Sequence, residues 1–179
     1  MQGERFDIMA GAAITAPMIG VDAGGVSPRT VPIKSAEVIN NWDLVNVDTN
    51  GQVVSASKTQ GAVVKATWIA FFSDENGMAT SRTGVAGLTV KCGLCKRARL
   101  KNANSTLVPS LDNGLPVFLG PVPTSTVSNY TCARSTTNND KIQQVGVVED
   151  DGTTLAIDLA GTNTELIYQT SATSTTIYG

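Results

Sequence analysis

The chain has 179 residues and a formal net charge of −2, and only 16% of its residues are charged. That length suits one domain, or two small ones, and can bury a core without disulfides or metal ions. The low, slightly acidic charge argues against direct binding of nucleic acid. With no histidine, the chain lacks the commonest general base and metal ligand. Its three cysteines are an odd number, so a full disulfide framework is not expected and a reducing compartment is the simpler interpretation.

Residues 1–34 are rich in Gly, Ala and Pro and carry few charges. Pro17, Pro28 and Pro32 exclude a long helix. The apolar run at 8–20 is too short to span a membrane, and no membrane partner is expected. The segment is also too apolar for a free disordered tail. Two alternatives remain: an arm packed on its own domain, or an extended arm that orders against a neighbouring subunit.

Short apolar, β-branched runs separated by turn residues follow the arm. The predicted strands cover residues 44–47, 52–56, 63–72, 88–100, 115–119, 127–133, 142–148 and 153–159. Gly, Asn and Asp mark the turns at 48–51, 74–77, 112–114 and 149–152. The one helical expectation is a single turn at 35–41, capped by Ser35.

This pattern predicts a mainly β protein, a small antiparallel β-barrel or sandwich. We expect an extended N-terminal arm at 1–34, a β-barrel domain at 35–160 and a Thr/Ser-rich C-terminal tail at 161–179.

The stretch 90–100 reads VKCGLCKRARL and places Cys92 and Cys95 at the spacing of a zinc knuckle or a dithiol pair. A structural zinc site usually has four ligands, and only Cys132 remains to add to these two. A thioredoxin-like dithiol needs a helix N-terminus, which a β context does not supply. No metal ion or other cofactor is therefore expected.

As a strand, the same stretch has two faces, because side chains alternate with a period of two. This predicts that Cys92 points inward as a small core residue and that Cys95 points outward. The outward face would also hold a basic row made of Lys91, Arg97 and Arg99. Such a row is commonly a solvated face; the alternative is a docking surface for an acidic partner.

Acidic residues cluster at two of the turns, 74–75 and 149–152. Neither cluster has the alternating spacing of a calcium loop. The chain also has few aromatic residues to stack sugars beside a carboxylate pair. We interpret both clusters as hairpin turns, expect no catalytic residue and predict that the protein is not an enzyme.

Three motifs follow one another along the chain. The first is WDLV at 42–45 with NGQVV at 50–54, and the second is LTV at 88–90 leading through the basic strand to GLPVFLG at 114–120. The third is IQQVGVV at 142–148 with TLAIDL at 154–159. In this order they resemble the small β-barrel decoration, or cement, proteins of tailed-bacteriophage capsids, over about residues 41–160. The chain departs from that family at Trp42-Asp43, where Gly-Asp is frequent, and in its long N-terminal arm.

The resemblance implies a non-enzymatic virion protein, made in the host cytoplasm and located on the outer capsid surface. Its partners would be the major capsid protein, whose neighbouring subunits it clamps, and further copies of itself, as a homotrimer. The arm would spread over a capsid subunit or a sister protomer. The candidate contact residues lie in the arm and in the basic row: Ile8, Ile14, Met18, Ile19, Lys91, Arg97 and Arg99.

A second function stays open, that of a head-fibre or tail module that binds host-surface glycans. Such modules usually expose aromatic side chains in loops. Only Tyr130, Tyr168 and Tyr178 are candidates for that role here.

Overall fold

The computed structural model describes residues 13–15, 18–25, 27, 30–59, 64–72, 81–102, 113–124, 127–132, 141–149, 154–161 and 166–168. In these residues the chain forms β-strands and no helix, and its strand ladders are antiparallel. The prediction of a mainly β, antiparallel fold is confirmed. The described ranges also contain no helix that is long and apolar enough to cross a membrane.

Fifteen strands lie within the described residues. In chain order they are β1 (Ala13–Thr15), β2 (Met18–Gly24), β3 (Val31–Pro32), β4 (Val38–Asn40), β5 (Leu44–Val47), β6 (Val53–Ser55), β7 (Trp68–Phe71), β8 (Ser81–Thr83), β9 (Lys91–Cys95), β10 (Arg97–Asn102), β11 (Pro116–Leu119), β12 (Val127–Thr131), β13 (Lys141–Glu149), β14 (Thr154–Asp158) and β15 (Leu166–Tyr168).

The helical turn predicted at 35–41 is wrong. Residues 38–40 form β4 instead, which pairs with β8 in a two-stranded ribbon. Ile39 is completely buried in this ribbon. The β-branched pair Val38-Ile39 favours an extended backbone, and the ladder to β8 supplies partners for its polar groups.

The largest sheet has the strand order β1-β12-β11-β13-β14-β10-β2, with β15 paired to β13. Its two edge strands, β1 and β2, are separated by only two residues along the chain. The Cα atoms of Thr15 and Met18 therefore lie at most about 11 Å apart, and the sheet must curl until its edges approach each other. The part of the predicted arm at 13–15 and 18–24 thus pairs with the chain's own sheet.

The second sheet has the order β3-β9-β7-β5-β6. Ile33, directly after β3, forms a parallel bridge with Val53 of β6. In addition, the N–H of Lys34 donates to the carbonyl of Val53 at 3.0 Å. The two edge strands of this sheet therefore meet, and the arm boundary predicted at residue 34 falls inside the packed β structure.

The second sheet is buried on both faces, because successive residues of its strands alternate between two hydrophobic clusters. Leu44, Ile69 and Cys95 join the large sheet's inner face in the first cluster, and Val45, Ala70 and Leu94 belong to the second. Each fully buried aliphatic side chain contributes about 1.5–3 kcal/mol to folding. Two continuous cores on either side of one sheet therefore account for most of the stability of the fold.

Candidate functional site

The predicted basic row lies on two strands that belong to different sheets. Arg97 and Arg99 share one face of β10, and Lys91 is on β9. The single strand predicted at 88–100 is broken at Lys96, whose N–H donates to Gly24 at 3.1 Å and whose carbonyl accepts from Leu159 at 2.8 Å. The row is therefore not one continuous stripe, although Lys91 and Arg97 are both exposed.

Two arginines of the row form ion pairs with carboxylates on neighbouring strands. Arg97 Nε lies 3.1 Å from Asp158 Oδ2, and Arg99 Nη2 lies 3.1 Å from Glu149 Oε2. The four side chains are between 43% and 60% exposed. Ion pairs at this exposure contribute about 0–1 kcal/mol each, so their partners can be exchanged at little cost.

The pKa of Asp158 is lower than usual. Slight burial acts to raise it, but hydrogen bonds from the Ala160 N–H and from Arg97, together with the charge of Arg97, outweigh that effect. The carboxylate therefore stays ionised at neutral pH.

The sequence interpretation missed three charged residues of this surface. Lys101 is exposed two residues beyond Arg99, and the predicted strand ended one residue too early to include it. Asp158 and Glu149 come from β14 and β13, so only the pairing of strands brings them to β10. We call the set Arg97, Arg99, Lys101, Glu149 and Asp158 the charged face.

The arm candidates lie at both edges of the large sheet. Met18 and Ile19 are on β2, opposite Asn102 and Lys101 of β10. The fold therefore places these two beside the strand that carries the charged face, although no described contact tests their role in binding. Ile14 is on β1, at the other edge, and Ile8 is outside the described residues.

The two thiols of the C-x-x-C stretch enter different cores. Cys92 packs in the second hydrophobic cluster and Cys95 in the first, so they point to opposite faces as predicted. The prediction that Cys95 faces outward is wrong, because its exposure is 0%. The large sheet covers that face of β9, where Cys95 packs in the first cluster.

Gly93 explains the remainder of that stretch. A Cβ atom at this position would lie 2.6–2.9 Å from three ring atoms of Phe71, which is closer than real contacts allow. The Phe71 ring in turn stacks on Trp42, with ring centroids 5.9 Å apart. The Phe71 ring therefore packs directly on Gly93, which lies in sequence between the buried Cys92 and Cys95.

None of the three thiols has the environment of a nucleophile or a metal ligand. Burial raises the pKa of each of them to about 11, opposed at Cys92 by the charge of Arg82. All three are free cysteines. The described residues contain no cluster of three or more His, Cys, Asp or Glu side chains that could hold a metal ion.

Of the acidic turns and the three tyrosines, the structure describes the side chains of Glu149 and Tyr130. Glu149 ends β13 and pairs with Arg99, while 150–153 and 74–75 lie outside the described residues. Tyr130 is 1% exposed and therefore cannot stack a glycan. Tyr168 ends β15, and Tyr178 lies outside the described residues.

An open groove of about 550 Å³ lies beside β5 and β6. Its polar groups serve the fold itself: Asp48 Oδ1 accepts from the N–H groups of Asn50 and Gln52, and Glu37 Oε2 accepts from the N–H of Ser55. Lys34 and Lys65 also line it, and none of the described residues that line it is aromatic.

A buried polar junction joins the two sheets. The side chain of Asn129 on β12 accepts from the Leu44 N–H at 2.9 Å and donates to the carbonyls of Leu44 and Ala56. The hydroxyl of Tyr130 donates to the carbonyl of Trp42. We call Asn40, Trp42, Asp43, Asn129 and Tyr130 the seam.

No family model, curated protein sequence or solved structure matches the chain. The seam is enclosed and its polar groups serve the fold, whereas the charged face is exposed and its ion pairs are weak. Of these two, only the charged face can meet a macromolecular partner without unfolding.

Proposed function

We propose that the protein is a capsid decoration protein, which binds the outer surface of a bacteriophage capsid and stabilises contacts between major capsid subunits. The observation that supports this proposal is the exposed charged face with its weak ion pairs. The resemblance of residues 41–160 to the cement proteins supplies the class of partner.

The charged face suits an interface that is built from exchangeable ion pairs. The charged face has a net charge of +1, because it contains three cations, Arg97, Arg99 and Lys101, and two anions, Glu149 and Asp158. A carboxylate of a capsid subunit can replace Asp158 or Glu149 as the partner of an arginine with little change in free energy. The exposed Lys91 lies nearby in sequence and adds a further cation.

Weak contacts of this kind become strong when symmetry repeats them. A homotrimer on a three-fold axis would present three identical charged faces to three equivalent capsid sites. The second and third contacts are then intramolecular, so that avidity exceeds the affinity of any single face. A buried catalytic or ligand pocket is not required for such a role.

Sedimentation with expanded heads that lack this protein tests the proposal. We expect the double variant R97A/R99A to bind heads at least about tenfold more weakly than wild type, since two interfacial cations are lost. The matched control is K34A/K65A, which removes two cations from the groove and should bind as wild type does. Equal binding by R97A/R99A and wild type would contradict the proposal that the charged face binds the capsid.

The copy number of the protein in purified virions separates decoration from the glycan-binding alternative. A decoration protein occupies repeated capsid positions, so we expect on the order of hundreds of copies per particle. A few dozen copies or fewer would instead indicate a fibre or tail component.

A further inference from the structure

The corner between β4 and β5 contains a carboxyl group that is almost completely buried. Asp43 is 1% exposed, and its Oδ2 accepts from the backbone N–H of Asn40 at 2.9 Å and from the Asn40 Nδ2 at 3.0 Å. The same Nδ2 also donates to the carbonyl of Thr124 at 2.9 Å. The Asn40 amide therefore links the acid to Thr124, which lies 84 residues after Asn40 in the sequence.

A second contact holds the same corner. The hydroxyl of Tyr130, on β12, donates to the carbonyl of Trp42. Trp42 has a φ of +70°, a strained conformation for an aromatic residue. Its N–H donates to Ala70 at 2.8 Å, and its ring stacks on Phe71 of β7. The corner is thus a strained turn that its neighbours hold in place.

Burial disfavours a negative charge on Asp43, although both of its hydrogen-bond donors favour one. Burial raises its pKa to about 7, and the two hydrogen bonds from Asn40 only partly oppose this. Tyr130, which faces it from β12, is itself influenced by the charges of Asp43 and of Cys95 on β9, and its pKa is raised above the usual value, chiefly by burial. Ionisation of any of these three acids adds negative charge to a water-poor site.

We propose that Asp43 is a proton-operated latch: while its carboxyl is neutral, residues 40–43 stay fixed to Thr124 and Tyr130, and when it ionises, this corner is released. The proposal does not depend on the proposed function. It concerns how firmly the second sheet is attached to the large one.

The direction of the pH effect follows from linkage. The folded state holds the proton of Asp43 more tightly than the unfolded state, whose carboxyl has the ordinary value of 3.8. The stabilising effect is complete below that value and is lost as the pH rises through the folded-state value. The protein should therefore be less stable in mild alkali than in mild acid.

Urea unfolding of the full chain at pH 5.5 and pH 8.5, followed by tryptophan fluorescence, tests the latch. For wild type we expect the unfolding equilibrium constant to rise on the order of ten- to thirtyfold between these two values. The isosteric, uncharged variant D43N should change less than about threefold. The control D158N should follow wild type, because Asp158 is ionised throughout this range.

Two results would overturn the latch: wild-type stability that is flat or rises with pH, or a D43N variant that keeps the wild-type pH dependence. If D43N does not fold, the carboxyl ¹³C resonance of Asp43 in wild type decides, with a titration midpoint near neutrality expected and one below about 5 contradicting the proposal.

Amide exchange adds a local readout. After correction for intrinsic base catalysis, protection of the Asn40 N–H should fall more between pH 5.5 and 8.5 than that of Gly146, whose loss follows global unfolding alone. Equal losses at both would refute release of the corner.

Discussion

The seam and the charged face use similar polar groups in opposite ways. In the seam, an amide, a phenol and a carboxyl are buried, and the sheets they join depend on their hydrogen bonds. On the charged face, guanidinium groups and carboxylates are roughly half exposed and paired across neighbouring strands. A buried polar group without its partner costs about 1–3 kcal/mol, whereas an exposed ion pair is worth about 0–1 kcal/mol. The seam therefore contributes to the stability of the fold, whereas the charged face can change partners at little cost to it.

The largest effect is expected at the centre of the seam. Asn129→Ala removes three hydrogen bonds and leaves the N–H and C=O of Leu44 and the C=O of Ala56 without this partner. We expect the free energy of unfolding to fall by more than about 3 kcal/mol, because each of these groups is buried. Urea unfolding measures this loss. The control Asn50→Ala, in an exposed turn, should cost less than about 1 kcal/mol, and a similar loss for both variants would contradict the role of the seam.

A smaller effect is expected beneath the aromatic stack that borders the seam. Gly93→Ala places a methyl group where the Phe71 ring lies, and we expect a loss of about 1–3 kcal/mol from overpacking. Gly161→Ala is the matched control, because a Cβ there meets no atom within 4 Å. Thermal unfolding compares the two. The double variant G93A/F71L should recover part of the loss, since the two positions are in contact; if G93A is as stable as G161A, the stack does not depend on this glycine.

The smallest effect is expected on the charged face. Arg97→Ala should lower the free energy of unfolding by less than about 1 kcal/mol at pH 7, because the pair with Asp158 is exposed to solvent. The pKa of Asp158 is lowered, so whatever stability the pair adds is present above pH 3.8 and is lost as the pH falls through the lower, folded-state value. The difference between wild type and Arg97→Ala should therefore vanish in strong acid. If wild type and Arg97→Ala differ by several kcal/mol in free energy of unfolding at neutral pH, this pair stabilises the fold as the seam does, which contradicts the comparison.

The hairpins of the fold were accessible from the sequence because their signals are local. The Asn-Gly turn correctly predicted the pairing of β5 with β6, and the apolar runs around 149–152 predicted that of β13 with β14. The strands β1 and β2 were not predicted, because the arm is rich in Gly, Ala and Pro, which are not typical of strands. Cys95 was misplaced because alternation tells which face a residue is on, but not whether another sheet covers that face.

The seam could not be predicted, because its contacts join residues that are far apart in sequence. Asn129 and Leu44 are separated by 85 positions. One signal was the polar pair Ser128-Asn129 within a predicted strand, because a polar side chain that a strand buries needs a hydrogen-bond partner. On the charged face, strand alternation predicted that Arg97 and Arg99 share one face, but their acidic partners depend on the register of β10, β14 and β13.

A charge swap on the charged face separates its role in binding from its role in stability. The double variant R97D/D158R keeps one ion pair between β10 and β14 but reverses its polarity. We predict that its free energy of unfolding stays within about 1 kcal/mol of wild type, while its binding to expanded heads falls at least about tenfold, because the arginine of the row becomes an aspartate. Wild-type binding by this stably folded variant would contradict the claim that the charged face meets the capsid.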